Sequence, residues 1–528
     1  MHIDRAEDED VESAQPLPAG EPEGAAESVI RRTPWWSLST GIHVVVALML
    51  GWFWVVQSAA EEEVTVMSPP RKPRETPVME PPKDQPEREK ILDIVKQSQD
   101  VVFMKNVPED TTTETPDDEE FKKAKGESFD FVSDKPFKGR GTYDVVGGGG
   151  GGGGKFGGRL GGKKLSVANG GGGPKTEDAV LEALRWLARH QSPDGSWNVS
   201  GYVKQCKATC SPNPGDEEFD AGVTGLSLLA FLGAGFSHLS KDTYDGICFG
   251  DVVRKGVQWM MSHQDPEGCI GSRNAHKYMY NHTICALALT EAFGLTGSNL
   301  FRDQAQKAVD FVIAAQNPGM GWRYSYKCGD NDSSVTGWAV MVLKSAEISA
   351  LNVPGSGYQG TRAWYDSVTD GTYGRVGYNA PNTGKVFIPG KNEHFDHHEA
   401  LTAIAVMSRI FIDRKQNDPR LANGCELLLR DKPVWNGNAT DFYYVYYASL
   451  ALFQYDGPKG PKWSSWNEPM KNMLVENQNP KTAPCRRGSW EPVDRWSCEG
   501  GRVYATAINA LTLEVYYRYT NVFVGNSR

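Results

Sequence analysis

Between residues 176 and 521, amphipathic stretches of helical period alternate with stretches that are apolar at almost every position, and a Gly-containing turn joins each pair. The amphipathic stretches begin near Glu177, Asp251, Phe301, Tyr358, Asp418 and Trp463. The apolar ones read "DAGVTGLSLLAFLG", "MYNHTICALALTEAFG", "DSSVTGWAVMVLKSA", "HHEALTAIAVMSRIF", "VYYASLALFQ" and "RVYATAINALTLEVYYRY", and they align on Thr224, Thr283, Thr336, Thr402, Ser449 and Thr506. This alternation is what a double ring requires, because outer helices show one face to water while inner helices meet neighbours on nearly all sides. The pattern predicts an all-α fold, an (α/α)6 toroid of six helical hairpins, preceded by one transmembrane helix and a disordered linker.

The remaining chain divides by composition. Residues 1–33 form an acidic tail, and residues 34–58 contain the apolar run "WWSLSTGIHVVVALMLGWFWVV", long enough for the ~20 residues that a membrane span needs. Arg31 and Arg32 precede it and Glu61, Glu62 and Glu63 follow, which places the N-terminus in the cytoplasm and the toroid outside. The competing reading is a cleaved signal peptide ending at Ser58-Ala59-Ala60, although the run exceeds the usual ~7–15-residue apolar region. Residues 59–175 carry dense Pro, Asp, Glu and Lys and then the run Gly147 to Gly154, the composition of a disordered linker with a reach of about 60 Å. No strand precedes these glycines and no Lys-Ser or Lys-Thr follows them as a phosphate loop would require. Residues 522–528 form a short tail. A net charge of -10 lacks the basic footprint of nucleic-acid binders, so no nucleic acid is expected. "SLSTGIH", followed by "PPRKPRETPVMEPPKDQP", resembles the anchor and Pro-rich spacer of TonB-type energy transducers.

Within the repeats, Ala183, Trp186, Leu187, Gln191, Gly195 and Trp197 form a motif that returns as Gly256, Trp259, Met260, Gln264 and Gly268, and as Ala308, Phe311, Val312, Gln316 and Trp322. Gln478, Gly488 and Trp490 keep it around an insertion, while the fourth and fifth repeats lack the Gln. The motif resembles the QW repeat of the prenyltransferase and squalene-cyclase superfamily over about residues 176–521. The resemblance implies a structural clamp, with the Gln bonding at the end of one outer helix and the Trp stacking at the next. It does not extend to the second helical barrel of squalene-hopene cyclases, nor to the Asp, Cys and His zinc set of protein prenyltransferases.

Four residues before the aligned Thr or Ser stand Asp220, Met279, Asp332, His398, Val445 and Arg502, at one level near one mouth of the ring. That register brings Asp332 near His398 and Arg502 near Asp220. "DNDS" resembles the cyclase DxDD acid motif, with Asp330 and Asp332 kept and Ser333 replacing the last Asp. The resemblance implies Asp332 as proton donor assisted by His398. Read from the residues alone, Asp332 and Asp220 serve as helix N-caps. Tyr280, Trp338, Tyr444, Tyr447 and Tyr504, with Tyr443 and Tyr446, can line an apolar cavity together with Asp220 and Arg502, or fill the core. "HFDHHE" has metal-ligand residue types at a spacing that fits no standard zinc site, so no metal and no cofactor is expected. Cys206 with Cys210 and Cys485 with Cys498 are expected as disulfides. No thioester string of the complement type occurs. Two functions follow: a non-catalytic module binding a lipid, polymer or protein, or an isoprenoid cyclase or transferase. An apolar lipid is the expected ligand, and no protein partner is identified.

Overall fold

The computed structural model describes residue 159 and residues 163–206, 215–384, 386–518, 521 and 523. The predicted membrane span 34–58, the tail 1–33 and most of the linker lie outside the described residues. Among the described residues, no helix is long and apolar enough to cross a membrane.

Among the described residues the first helix is α1 (Lys163–Gly170), which lies in the segment whose composition is that of a disordered linker. Apolar density was the wrong criterion there. This segment is held by polar contacts instead: Trp463 Nε1 donates to Gly170 O at 2.8 Å, Asn467 Nδ2 to Gly171 O at 3.1 Å, and Lys163 pairs with buried Glu177 at 3.0 Å.

Among the described residues, six amphipathic helices then alternate with six apolar ones. The outer set is α2 (Pro174–Arg189), α4 (Phe249–Ser262), α6 (Asn299–Ala315), α8 (Ser356–Val368), α10 (Pro419–Leu428) and α12 (Pro461–Glu476). The inner set is α3 (Asp220–Gly233), α5 (Tyr278–Thr296), α7 (Ser333–Ile348), α9 (Ala400–Asp413), α11 (Phe442–Asp456) and α13 (Ser497–Leu513), after which α14 (Val515–Arg518) packs on α1. Outer helices bury one stripe: in α4, Val253, Val257 and Met260 face inward while Arg254, Lys255 and Gln258 face water. Inner helices are buried all round, as Ala221–Gly233 is throughout α3. The inner helices pack in succession, α3 on α5, α5 on α7, α7 on α9, α9 on α11, α11 on α13, and α13 back on α3. The domain is mainly helical and α/α toroid-like. It also contains a two-stranded hairpin that the all-α expectation missed, β1 (Thr243–Tyr244) with β2 (Ile247–Cys248), turned by Asp245-Gly246 at positive φ.

Hydrogen bonds at the repeat motif explain how the hairpins join. Each motif Gln donates through Nε2 to a carbonyl of its own turn and to a carbonyl of the next outer helix. Gln191 reaches Gly195 O and Val252 O of α4 at 3.0 and 2.9 Å. Gln264 reaches Gly268 O and Gln304 O of α6 at 3.1 and 3.0 Å, and Gln316 reaches Met320 O and Gly357 O of α8 at 2.7 and 3.0 Å. Gln478 reaches Gly488 O at 2.9 Å and returns to Ala179 O of α2 at 2.8 Å. The implied clamp is therefore present with its roles divided differently: Gln spans the seam, while Trp197, Trp322 and Trp490 donate Nε1 back to Leu187, Val312 and Leu474 of their own outer helices. The ring of Trp197 does lie against Gly256 of α4. At Gly195 (φ +100) and Gly488 (φ +85), a Cβ would sit 2.3 Å from Lys255 O and 2.1 Å from Glu182 O, so both the left-handed turn and the close approach need glycine. The aligned threonines complete the joint, Thr224 and Thr336 accepting from Trp197 N and Trp322 N at 2.9 and 3.0 Å.

Where the Gln is missing, ion pairs take its place. Asp366 of α8 meets Arg420 of α10, and Glu426 of α10 meets Lys462 of α12. Solvent-exposed pairs contribute about 0–1 kcal/mol, whereas an amide whose loss strands two partly buried acceptors contributes about 1–3 kcal/mol. In urea unfolding, Gln478→Ala is expected to lower stability by about 1–3 kcal/mol and Glu426→Ala by less than about 1 kcal/mol. Equal losses would show that the Gln bonds carry no special share of the ring.

Candidate functional site

Every inner helix presents its N-terminal end to one mouth of the ring, where a cavity of about 200 Å³ opens. Its wall is aromatic: Phe219 stands before α3, Tyr280 on α5, Trp338 on α7, Tyr443 on α11, and Trp496 and Tyr504 on the last hairpin. Tyr378 and the segment Val386–Ile388 come from the long connection between α8 and α9, which lacks helical periodicity. Tyr324 Oη lies 2.5 Å from Tyr378 Oη, and Ser334 Oγ lies 2.7 Å from Tyr443 Oη, so the phenols are oriented in pairs. Lys277, Arg495 and Glu499 form a charged rim, with Lys277 pairing with Glu499 at 3.7 Å and lying 5.7 Å from the centre of the Phe219 ring.

The predicted lining residues separate into those that reach the cavity and those that do not. Tyr280, Trp338 and Tyr504 line it. Tyr444 turns outward, its hydroxyl donating to Leu428 O at 2.7 Å and its ring meeting Trp466. Tyr447 lies one turn below Tyr443 on the same face, packed on Trp338 beneath the cavity. Asp220 and Arg502 do not meet. Asp220 is the first residue of α3 rather than its N-cap and accepts from Val199 N and Asn198 Nδ2 at 2.7 and 2.9 Å, while Arg502 pairs with Glu491 at 2.6 Å. Each serves the turn of its own hairpin.

Asp332 and His398 also part company. His398 lines the cavity, stacks on Tyr444 and places Nε2 3.0 Å from Ala439 O, facing the next hairpin rather than Asp332. Asp330 is exposed and pairs with Arg323 at 3.3 Å. Asp332 is the N-cap of α7: Oδ1 accepts from Val335 N at 2.7 Å, while Oδ2 is buried without a hydrogen-bond partner. Burial pushes its carboxyl up to about 7, opposed by the Val335 N–H and the Arg323 charge. Of the "HFDHHE" residues, His397 and His398 line the cavity, Asp396 N bonds Asn438 O at 2.9 Å and His394 packs on Phe395.

Sequence reading missed two further acids. Asp441 caps α11 and lines the cavity, with burial raising it to about 6. Asp494 accepts from Phe442 N at 3.1 Å, and burial together with the Asp441 charge raises it to about 7. Thr440-Asp441 ahead of an apolar run is an N-cap signature that would have found the first; nothing local marks the second.

This architecture, with an aromatic cavity at the N-terminal ends of the inner helices, is a squalene-cyclase-like α/α toroid. Residues 242–409 match the family model described as squalene-hopene cyclase C-terminal domain, which agrees with the resemblance to the prenyltransferase and squalene-cyclase repeat superfamily. No curated protein matches the chain. Among solved structures, the GH76A α-1,6-mannanase of Salegentibacter sp. HEL1_6 is 12% identical, covering 64% of this chain and 98% of that one with a TM-score of 0.42. A variant of the type II terpene cyclase MstE from Scytonema, in complex with merosterolic acid A, is also 12% identical, covering 66% and 99% with a TM-score of 0.40.

The raised acids fix the sign of a pH effect. Between 3.8, the ordinary value, and about 7, the folded chain keeps the Asp332 proton while the unfolded chain releases it, so this group's contribution to stability falls as pH rises through that window. Asp332→Asn keeps an oxygen for the cap and cannot ionise. It is expected to match the parent in thermal stability below pH 3.8 and to exceed it above about pH 7. A constant difference across that range would show that Asp332 does not titrate with folding.

Proposed function

We propose that the protein is a membrane-anchored toroid of six helical hairpins, exposed outside the cytoplasm, which binds an apolar lipid in its central cavity without transforming it. The observation that supports this reading is the aromatic wall of the cavity together with the use of its raised acids as helix caps: Asp332 lies outside the lining with Oδ1 committed to the α7 cap, and Asp441, which lines the cavity, accepts from Tyr444 N at 2.9 Å as the α11 cap. A volume of about 200 Å³ is below the ~300–1,000 Å³ usual for sites that enclose a drug-sized ligand, so the cavity suits one end of a chain-like molecule. The apolar run at residues 34–58 would hold the toroid beside the bilayer that supplies such a ligand.

A second reading, acid-initiated isoprenoid cyclisation, is favoured by one feature. Asp332 Oδ2 is unpartnered and its carboxyl is raised to about 7, the state a general acid needs.

Titration of the full chain in detergent with isoprenols of increasing length, followed by tryptophan fluorescence, is expected to saturate, and Trp338→Ala should weaken binding about tenfold or more. No saturable response would overturn the binding role. Cyclised product formed by the parent and lost in Asp332→Asn would establish the second reading. Protease added to spheroplasts should release a fragment of the toroid's size; complete protection would reject the topology.

A further inference from the structure

A second cluster lies outside the cavity, where the first and last hairpins meet. His190 follows α2, Cys206 follows the short 3-10 turn Gly201–Gln205, and Cys485 belongs to the loop between α12 and α13. Cys206 and Cys485 are joined to one another with their Cα atoms 6.5 Å apart, not to Cys210 and Cys498 as sequence proximity suggested, and Cys498 is a free thiol. The His190 side chain is buried and stacked on Trp186. Its Nδ1 lies 2.8 Å from Trp186 O, which can only accept, so Nδ1 carries the hydrogen and Nε2 presents its lone pair. Nε2 faces Cys485 Sγ at 3.6 Å. His190 Nε2 and the two sulfurs all lie within 4.8 Å of one another.

We propose that, when the disulfide is reduced, Cys206 Sγ, Cys485 Sγ and His190 Nε2 bind one thiophilic divalent cation, zinc by the chemistry of the donors. Three protein ligands leave a fourth position for water or an external ligand. Zinc bonds of about 2.3 Å to sulfur and about 2.05 Å to nitrogen, at a tetrahedral angle, separate S and N by about 3.6 Å. The His190 to Cys485 spacing already has that value. The bond from Nδ1–H to a backbone carbonyl is the usual support of a metal-binding imidazole. In the reducing step an external dithiol gives two electrons and two protons to the disulfide and becomes a disulfide itself. The cation then displaces the two thiol protons into solvent. Either state ties the connection between α2 and α3 to the last hairpin, by a covalent bond when oxidised and by coordination when reduced.

The test uses the full chain in detergent, reduced with a dithiol, freed of metal and titrated with cobalt(II) and with zinc. The expected result is one cobalt per chain with a thiolate-to-cobalt charge-transfer band, and a zinc-dependent rise in Tm, both absent from the oxidised protein. His190→Ala leaves the disulfide able to form and should weaken metal binding about tenfold or more. Absence of the band in the reduced parent overturns the site, as does an undiminished band in His190→Ala. A band that persists in the Cys206→Ser, Cys485→Ser double variant also overturns it, by assigning the metal to other thiols.

Discussion

The hydrogen bond from Gln478 Nε2 to Ala179 O joins the last outer helix to the first, and the burial of the inner helices depends on that junction. An inner helix such as α3 has no polar face, so it needs neighbours on both flanks, and one of those is α13 from the far end of the domain. Loop closure grows slowly with length. The Gln191 bond to α4 spans 61 residues and the closing bond spans 299, an added entropic cost of about 1.4 kcal/mol at ~0.6 kcal/mol per doubling. A single net hydrogen bond is of that size. The closing seam holds more than one: Arg487 bonds Glu182 in bidentate fashion at 2.7 and 3.0 Å, Arg189 reaches Arg487 O at 2.9 Å, Trp186 Nε1 reaches Cys485 O at 3.0 Å, and Cys206 is linked to Cys485. Most of what distinguishes the first and last repeats from the others therefore sits at this junction.

Closure also sets the electrostatics of the two mouths. All inner helices bring their N-terminal ends to the cavity, where helix dipoles favour negative charge by about 0.3–1 kcal/mol each, up to ~2 kcal/mol. Asp332 and Asp441 occupy capping positions there. Their carboxyls are nevertheless raised, to about 7 and about 6, so desolvation in the closed ring outweighs dipole and cap together. Elsewhere in the interior, a buried acid has the opposite fate. Glu291 lies between Arg159 at 2.7 Å and Arg518 at 3.1 Å, and these guanidinium groups hold its carboxylate below the ordinary range against the cost of burial. One partner need not suffice, since burial raises Glu177 although Lys163 lies 3.0 Å away. At the opposite end of α13 from the cavity, buried Glu514 is likewise raised well above its ordinary value by desolvation.

The periodic part of this architecture could be read from the sequence because it repeats. Gln, Gly and Trp at fixed offsets in four of the repeats, and a Thr or Ser in each following helix, identified the hairpins and the clamp. Reading failed where the outcome depended on rotation about a helix axis or on contacts between distant segments. Tyr443, Tyr444 and Tyr447 are equivalent in composition, yet about 100° of helical turn per residue sends Tyr444 outward, and one full turn sets Tyr447 beneath Tyr443. The register correctly set Asp332 and His398 at the N-terminal ends of consecutive inner helices, but register does not say which way a side chain leans, and His398 leans toward Ala439. Nearest-neighbour pairing misassigned Cys206 because its partner is 279 residues away. The same distance hid the fit of His190 beside those sulfurs.

Cap and acid are compatible roles for Asp332, since capping occupies Oδ1 and leaves Oδ2 free to carry a proton. Position decides between them. The Arg323 charge and the Tyr378 side chain bear on Asp332, and the side chains of Tyr280, Tyr378 and Tyr443 stand in the cavity wall. A ligand in the cavity meets phenol hydroxyls before it meets the carboxyl. Direct protonation of an alkene requires contact with the acid, whereas a phenol raised by burial and by the neighbouring carboxylate, as Tyr378 is, is a poor donor to carbon. The wall that makes the cavity apolar therefore stands between Asp332 and the ligand, while Asp441, which does line the cavity, spends one oxygen on the α11 cap, and the proposed binding role rests on those two placements.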